Sequence, residues 1–411
     1  MTTATDGRGR ARRLRTSLPW AFVVALLLIS FNLRSPFVAV APLADELRAD
    51  LDVGAGGIGL LTSLPVLCFG LLAPVALLLV RRAGAEAAVV ACLVCVTIGS
   101  VVRTGGSFAL AVVGTVVIGL GITVGNIVMP VLIRRESTAG TAGPLTGIYT
   151  AAMNFGSMVA TIVTVPVADA AGWQVALGMW SLVGVVATVV WVAHVGRRRR
   201  IARAAVVPPP EVPAHPASST PVWQRPIAWM LGLAFAGQAT SYYALTAWLP
   251  TLLGDEIGLG ASAAGAASSV FQVCAIIGAI GVPLLALRLP TWSTVGLVGL
   301  LWMSFPMVLL LAPQAYVLGS VLGGVAQGGG FAAIFTIVVQ VARSDRESAR
   351  LSAFVQGVGY VVAATGPTVL GLVHDATDAW TVPVLIVVGT TAMFTVLGVS
   401  AAVSQARART A

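Results

Sequence analysis

Residues 18–41 read LPWAFVVALLLISFNLRSPFVAVA, an apolar run interrupted by one charged side chain, that of Arg34. About 20 apolar residues are enough for a helix to cross the hydrocarbon layer of a bilayer, which is roughly 30 Å thick. The composition of the whole chain matches this run, since 57% of its 411 residues are hydrophobic and 9% are charged. A soluble globular protein carries about 25% charged residues. The sequence therefore predicts an all-α, polytopic membrane protein.

Twelve segments have this length and composition, with boundaries at 18–41, 56–80, 87–104, 107–132, 144–168, 173–196, 226–253, 259–287, 291–312, 314–342, 351–373 and 380–403. The longest loop is rich in proline and leaves six segments on either side. We therefore predict a basic cytoplasmic N-terminus (1–17), a six-helix bundle (18–196), a cytoplasmic linker (197–225), a second six-helix bundle (226–403) and a cytoplasmic tail (404–411).

The basic residues are distributed unevenly between the two sides of the predicted membrane protein. All 24 are arginine, and 21 of them fall in the termini and in alternate loops on one side, whereas the opposite loops carry most of the acidic residues. Because loops rich in positive charge stay in the cytoplasm, both termini are predicted to be cytoplasmic. The use of arginine without lysine suggests a GC-rich coding sequence, so we expect a bacterial cytoplasmic (inner) membrane. The clusters 8–15 and 197–203 fit contact with anionic lipid better than nucleic-acid binding.

The two halves of the chain resemble each other at an offset of about 206 residues. Gly54-Ala55 aligns with Gly260-Ala261, Gly59 with Gly265 and Cys68 with Cys274. Two six-helix halves that start on the same side form parallel repeats, related by an axis along the membrane normal. The predicted fold is thus twelve transmembrane helices in two pseudo-symmetric bundles, the architecture of an alternating-access carrier.

Cysteine and histidine positions predict neither a metal site nor a cofactor. The four cysteines, Cys68, Cys92, Cys95 and Cys274, all fall within predicted spans, where packing is the simplest interpretation of small thiols. No predicted span contains a set of serine, histidine and acid, or of metal ligands, so an intramembrane enzyme is disfavoured. A signalling protein on a carrier fold is disfavoured as well, because the linker is the only candidate for a partner-binding segment.

Arg34 is the candidate with the clearest chemistry. It lies 16 residues, or about 24 Å of helix, from the start of its span, and burying an arginine in a bilayer costs at least about 2.5–3.5 kcal/mol. Pro36, two residues later, interrupts the helix and frees backbone groups. One interpretation is that the guanidinium is the counter-ion of a small anionic substrate. The alternative is structural: the side chain reaches the headgroups or holds a kink by binding a carbonyl.

Polar residues at symmetry-related positions extend this candidate site. At an offset of 208, Ser30 and Arg34 correspond to Gln238 and Tyr242, each pair four residues apart on one helical face. In the fifth and eleventh spans two polar stripes correspond at an offset of 206: Thr146, Thr150 and Asn154 with Ser352, Gln356 and Tyr360. Such stripes either join helices or line a wet pathway, and the sequence leaves both options open.

Several runs resemble the cyanate permease and 2-nitroimidazole transporter branch of the major facilitator superfamily: NLRSPFVAVAPL from Asn32, LLTSLPVLCFG from Leu60, GNIVMPVLIRRES from Gly125 and SYYALTAWLP from Ser241. The resemblance implies that the first and fourth helices of each half line the cavity. That adds Asn126 and Gln327 to the candidates, with Trp248 as a ring that could stack on a flat substrate. It also implies gating roles for Arg82, Gly84 and Arg135, although Arg81 stands where the family signature has an acid.

These observations predict a secondary active transporter for a small anion or a small polar, planar compound similar to cyanate or a nitroimidazole. A multidrug efflux carrier of the same fold is the alternative. The expected partners are the substrate and the lipid bilayer, and the expected state is a monomer. Whether a proton is co-transported stays open, because no acid lies in a span core. Either the proton arrives with the substrate or on an acid near a span end, such as Asp169, or transport is exchange or uniport.

Overall fold

The computed structural model describes residues 20–136, 142–202, 221–286, 288–342 and 345–410, and all regular secondary structure within these ranges is helical. The predicted N-terminus 1–17 and residues 203–220 of the predicted linker lie outside them. The α-helices are α1 (Trp20–Asn32), α2 (Ser35–Val38), α3 (Ala44–Leu51), α4 (Ala55–Leu71), α5 (Ala73–Ala83), α6 (Ala85–Val102), α7 (Phe108–Glu136), α8 (Ala142–Ala171), α9 (Trp173–Gly178), α10 (Trp180–Ala202), α11 (Pro226–Ile257), α12 (Ala261–Leu285), α13 (Thr291–Leu311), α14 (Tyr316–Val341), α15 (Asp345–Ala363), α16 (Thr365–Thr377) and α17 (Thr381–Thr410).

Each of the twelve predicted segments is helical. Ten helical stretches in the described ranges are long and apolar enough to cross a membrane, and α4 with α5, bent by 59°, makes an eleventh. The remaining predicted segment is α11, a continuous helix of 32 residues that is buried along most of its length and carries many polar side chains. Helix α10 continues to residue 202 and α17 to residue 410, so the predicted linker and tail both begin as helix.

The first span is broken where the sequence predicted an interruption. Helix α1 ends at Asn32, α2 begins at Ser35, a 3-10 turn covers 41–43, and α3 follows. Pro36 and Pro42 lie at the starts of the second and third pieces, where a missing N–H costs nothing. The broken segment is nevertheless buried in the bundle, with Ser35 to Val38 all covered by neighbouring helices.

The helices form two groups that meet along two seams. In the first half α6 packs on α7 and α10, and α1 on α8 and α10; in the second half α12 packs on α14, and α11 on α15 and α17. The first seam is α4 against α15 and α16. The second seam is α8 against α12.

The backbone repeats at the offset found in the sequence. Left-handed residues end helices at Asp52 and Gly258, and again at Gly172 and Asp378, each pair 206 positions apart. The seams repeat as well, because Gly59 lies against the carbonyl of Pro367 and Gly265 against that of Thr161. At both glycines a Cβ atom would come within 2.5 Å of the facing carbonyl oxygen. The duplication predicted from the sequence is therefore present in the fold.

Candidate functional site

The Arg34 side chain lies between the two halves. Arg34 is the N-terminal cap of α2, at the break in the first span. Its guanidinium carbon is 5.7 Å from the ring centre of Tyr242 and 5.9 Å from that of Tyr243, both on α11. A cation within about 6 Å of an aromatic face is attracted by the ring's electron density. The break thus directs the charge of the first half onto a pair of tyrosines of the second half.

Four tyrosines surround this charge, and we call them the tyrosine cluster: Tyr149, Tyr242, Tyr243 and Tyr360. All four interact electrostatically with the guanidinium or lie against one another. Phe69 of α4 closes the group, with its ring centre 5.5 Å from that of Tyr360 and 6.4 Å from that of Tyr243. Helices of both halves therefore contribute to one aromatic, hydroxyl-bearing site.

Arg34 keeps hydrogen-bonding capacity within this site. The side chain is half-buried, and its Nη1 atom is buried without a hydrogen-bond partner. No carboxylate in the described part of the chain lies within ion-pair distance of it, because all described Asp and Glu residues stand at helix ends. A positive charge with a free donor and no counter-ion suits an anion or an electron-rich polar group.

The predicted partners Ser30, Asn154 and Gln238 bond or pack away from Arg34. The Ser30 hydroxyl donates to the carbonyl of Leu26 in its own helix. The Asn154 amide donates to the carbonyl of Thr150, 3.1 Å away, again within one helix. Gln238 is buried and packs on Gly330 of α14. The argument from helical faces identified Tyr242 and missed its neighbour Tyr243, which also lies beside Arg34.

The remaining cavity candidates are Asn126, Gln327 and Gln356, which are polar side chains partly covered by neighbouring helices. The Asn126 oxygen lies 3.5 Å from the hydroxyl of Tyr149, which connects it to the tyrosine cluster. Gln327 has a buried Oε1 atom without a hydrogen-bond partner. Gln356 is half-buried one helical turn before Tyr360. Of the two polar stripes, the one ending at Tyr360 therefore reaches the Arg34 site.

Trp248 has a packing role in this structure. Its indole nitrogen donates to the carbonyl of Pro367 at 2.8 Å, and its ring is buried against Trp380. It also lies six residues, or about 9 Å of helix, beyond Tyr242. The contact joins α11 to α16 within the second half.

The residues proposed for gating form contacts within the first half. Arg135 of α7 pairs with Glu86 of α6 at 2.6 Å and lies 3.5 Å from Glu136. Gly84 connects α5 and α6 with φ of 82°, a conformation that favours glycine. Arg82 is exposed. The acid that pairs with Arg135 is thus Glu86, two residues after Gly84.

An ion pair between the halves lies at the opposite end of the molecule. We call that end, which carries residues 45–52, 169, 255–256 and 375–378, the acidic end. There Asp375 accepts from Arg48 at 3.4 Å and from the backbone N–H of Gly56 at 3.1 Å. Below this contact Ser63 and Thr368 are hydrogen-bonded at 2.9 Å across the first seam. The sequence analysis missed this lock because it joins residues 327 positions apart.

The fold and this site can now be compared with known proteins. A family model of the Major Facilitator Superfamily matches residues 20–296. The chain belongs to the major facilitator superfamily. Among solved structures, the D-xylose-proton symporter superposes with a TM-score of 0.71 at 12% identity, covering 95% of this chain and 97% of that one. The shared feature is the fold of two six-helix halves.

Two curated relatives match this superfamily member over most of its length. The 2-nitroimidazole transporter of Escherichia coli (strain K12) is 30% identical over 396 residues, covering 94% of each chain. The cyanate transport protein CynX of the same strain is 28% identical over 386 residues, covering 89% of this chain and 94% of the relative. The branch to which the sequence motifs pointed is confirmed, and this superfamily member is a multi-pass membrane transporter.

Proposed function

We propose that this transporter is a secondary active carrier of a small anion or a small polar, planar compound similar to cyanate or a nitroimidazole. One observation carries the proposal: a guanidinium with a free donor and, among the described residues, no carboxylate partner, set among tyrosines of both halves. A small anion would accept from the guanidinium, and a flat molecule would stack on the rings. The relatives named for cyanate and 2-nitroimidazole transport support both classes.

The same proposal covers the orientation and the mechanism. We place the acidic end outside a bacterial inner membrane and both termini in the cytoplasm, in agreement with the arginine distribution. The seam contacts at the acidic end then belong to an inward-facing state, and alternating access requires them to break. The carrier acts as a monomer. A coupling proton would enter with the substrate or on an acid near a span end, such as Asp169, because the described carboxylates stand at helix ends.

The test is transport and binding with Arg34 altered. Purified protein in proteoliposomes is assayed for uptake of radiolabelled cyanate and of 2-nitroimidazole, with and without an imposed pH gradient. We expect Arg34→Ala to weaken the affinity for the transported probe about 100-fold, since removing one member of a buried charged contact costs about 2–5 kcal/mol. Arg34→Lys keeps the charge but loses the planar fork, so we expect about a tenfold loss.

The matched control is Arg288→Ala, which removes an exposed arginine from the loop between α12 and α13. Its uptake should equal that of the unmodified protein. Unchanged affinity in Arg34→Ala would rule out the site. Uptake of bulky organic cations in place of both probes would favour the multidrug alternative.

A further inference from the structure

A second arginine is buried beside the break in the first span. Arg103, directly after the end of α6, is 2% exposed. Its Nη1 atom donates to the carbonyl of Pro36 at 2.7 Å. The sequence analysis gave Arg103 no role. The structure instead brings it to the segment that carries Arg34.

Close helix packing fixes the backbone of Arg103. Gly114 on α7 lies directly against the backbone nitrogen and Cα of Arg103, where no Cβ atom would fit. Gly99, one turn earlier on α6, faces the carbonyl of Gly114, at 2.6 Å from a Cβ built on Gly99. Two glycines therefore allow α6 and α7 to pack closely just where α6 ends at Arg103. This packing fixes the backbone position from which the Arg103 side chain extends.

The Pro36 carbonyl needs a donor because the helix stops after it. In an uninterrupted helix it would accept from the N–H four residues later, at Val40. Helix α2 ends at Val38 and the chain turns at 39–40, so that bond is replaced by the one from Arg103. A buried carbonyl without a partner is costly, and a charged donor is among the strongest replacements.

The hydrogen bond from Arg103 to the Pro36 carbonyl also affects the orientation of the Arg34 side chain. Arg34 lies two residues before Pro36, and its carbonyl accepts from Val38 N–H at 3.0 Å. A shift of the Pro36 carbonyl therefore moves the whole short helix that Arg34 caps. Asn32, the last residue of α1, is fully buried with both side-chain polar atoms unpartnered, as are Nε and Nη2 of Arg103. Asn32 directly precedes the break, and Arg103 reaches the break from the end of α6.

We propose that Arg103 is a positioning residue for substrate binding. It holds the broken segment so that Arg34 faces Tyr242 and Tyr243 and presents its free donor to the substrate. The proposal rests on the proposed function of Arg34. It assigns to Arg103 the carbonyl-binding, kink-holding role that was an alternative for Arg34.

The experiment is a double-mutant cycle on probe affinity. Dissociation constants for cyanate and 2-nitroimidazole are measured on purified full-length protein carrying Arg34→Gln, Arg103→Gln or both. We expect Arg103→Gln to weaken binding of the better probe about tenfold. In the Arg34→Gln protein the same change should have less than a twofold effect. Arg103→Lys keeps one charged donor and should remain within about threefold of the unmodified protein.

Melting temperatures of all variants separate positioning from folding. Equal, additive losses in both backgrounds would overturn the positioning role and leave the role of Arg34 intact. No loss in Arg34→Gln alone would overturn both proposals. If Arg103→Gln does not fold, Arg103→Lys enters the cycle in its place, and its effect must again vanish in the Arg34→Gln protein for the proposal to stand.

Discussion

The two seams between the halves share the same glycine contacts but differ in their polar contacts. In the first seam Gly59 faces Pro367, and in the second Gly265 faces Thr161, at an offset of 206 on both sides. Only the first carries the ion pair of Asp375. Its equivalent in the second seam is Asp169, and the region equivalent to Arg48, 254–256, contains no arginine. The two seams thus share the glycine contacts, and the pair of Arg48 with Asp375 belongs to the first seam.

Midway along the seams, the first seam again has a polar contact that the equivalent positions of the second do not make. Ser63 and Thr368 are hydrogen-bonded across the first seam. Their equivalents in the second seam are Ser269, whose hydroxyl donates to the carbonyl of Ala266 in its own helix, and Ile162. The first seam therefore has polar contacts at two levels, and the described residues at the equivalent positions of the second seam make none across it. We infer that opening of the acidic end is resisted mainly at the first seam.

The largest expected effect comes from adding a methyl group at the glycine of each seam, Gly59 or Gly265. In Gly59→Ala the new Cβ would meet the Pro367 carbonyl at 2.5 Å and the Thr368 Cα at 2.7 Å; in Gly265→Ala it would meet only the Thr161 carbonyl that closely. Overpacking costs about 1–3 kcal/mol. We expect Gly59→Ala to raise the fraction open at the acidic end by about 5- to 100-fold, and Gly265→Ala less.

The open fraction is measured by double electron–electron resonance between spin labels on exposed positions of the two halves, at Glu46→Cys and Ala263→Cys. The background has Cys68, Cys92, Cys95 and Cys274 replaced, since these are free thiols. A distance distribution that is the same with and without Gly59→Ala would contradict the close contact.

Removing the charge of Asp375 tests the lock itself. Asp375→Asn loses the ion pair with Arg48 and the negative charge at the start of α4, each worth about 0.5–1 kcal/mol when partly exposed. We expect the open fraction to rise about tenfold. The matched control, Asp169→Asn, makes the same change at the equivalent position and should leave the fraction unchanged. Equal shifts in both variants would show that the seams are not different.

The amino-acid sequence was sufficient for the fold because its signals are local. Apolar length fixed the spans, and the repeat at 206 residues identified the glycines of both seams before any contact was known. The break beside Arg34 was predicted, since the charge and Pro36 are visible in one segment. Tyr243, Arg103 and the Arg48–Asp375 pair were missed, because each depends on contacts between distant segments that no periodicity encodes.

A smaller effect is expected from the hydrogen bond across the first seam. Thr368→Val keeps the shape and removes the hydroxyl that meets Ser63, a contact worth about 0.5–1.5 kcal/mol. The open fraction should rise about threefold in the same spin-label experiment. Ser269→Ala, at the position equivalent to Ser63, is the control and should have no effect. A larger shift in the control would place the polar contribution in the second seam.

The smallest effect on gating is expected where the halves are alike. Trp173 donates to Asp50 at 2.6 Å, and Trp380 donates to Asp255 at 2.8 Å, each joining the last helix of its half to the first. Phenylalanine at either position removes about 1 kcal/mol of hydrogen bonding from one half. Both variants should melt a few degrees lower while the open fraction stays constant, because neither bond crosses a seam. A gating shift in Trp380→Phe alone would mean that this clamp also acts on Asp375 through His374, which stacks on Trp380 at 4.1 Å.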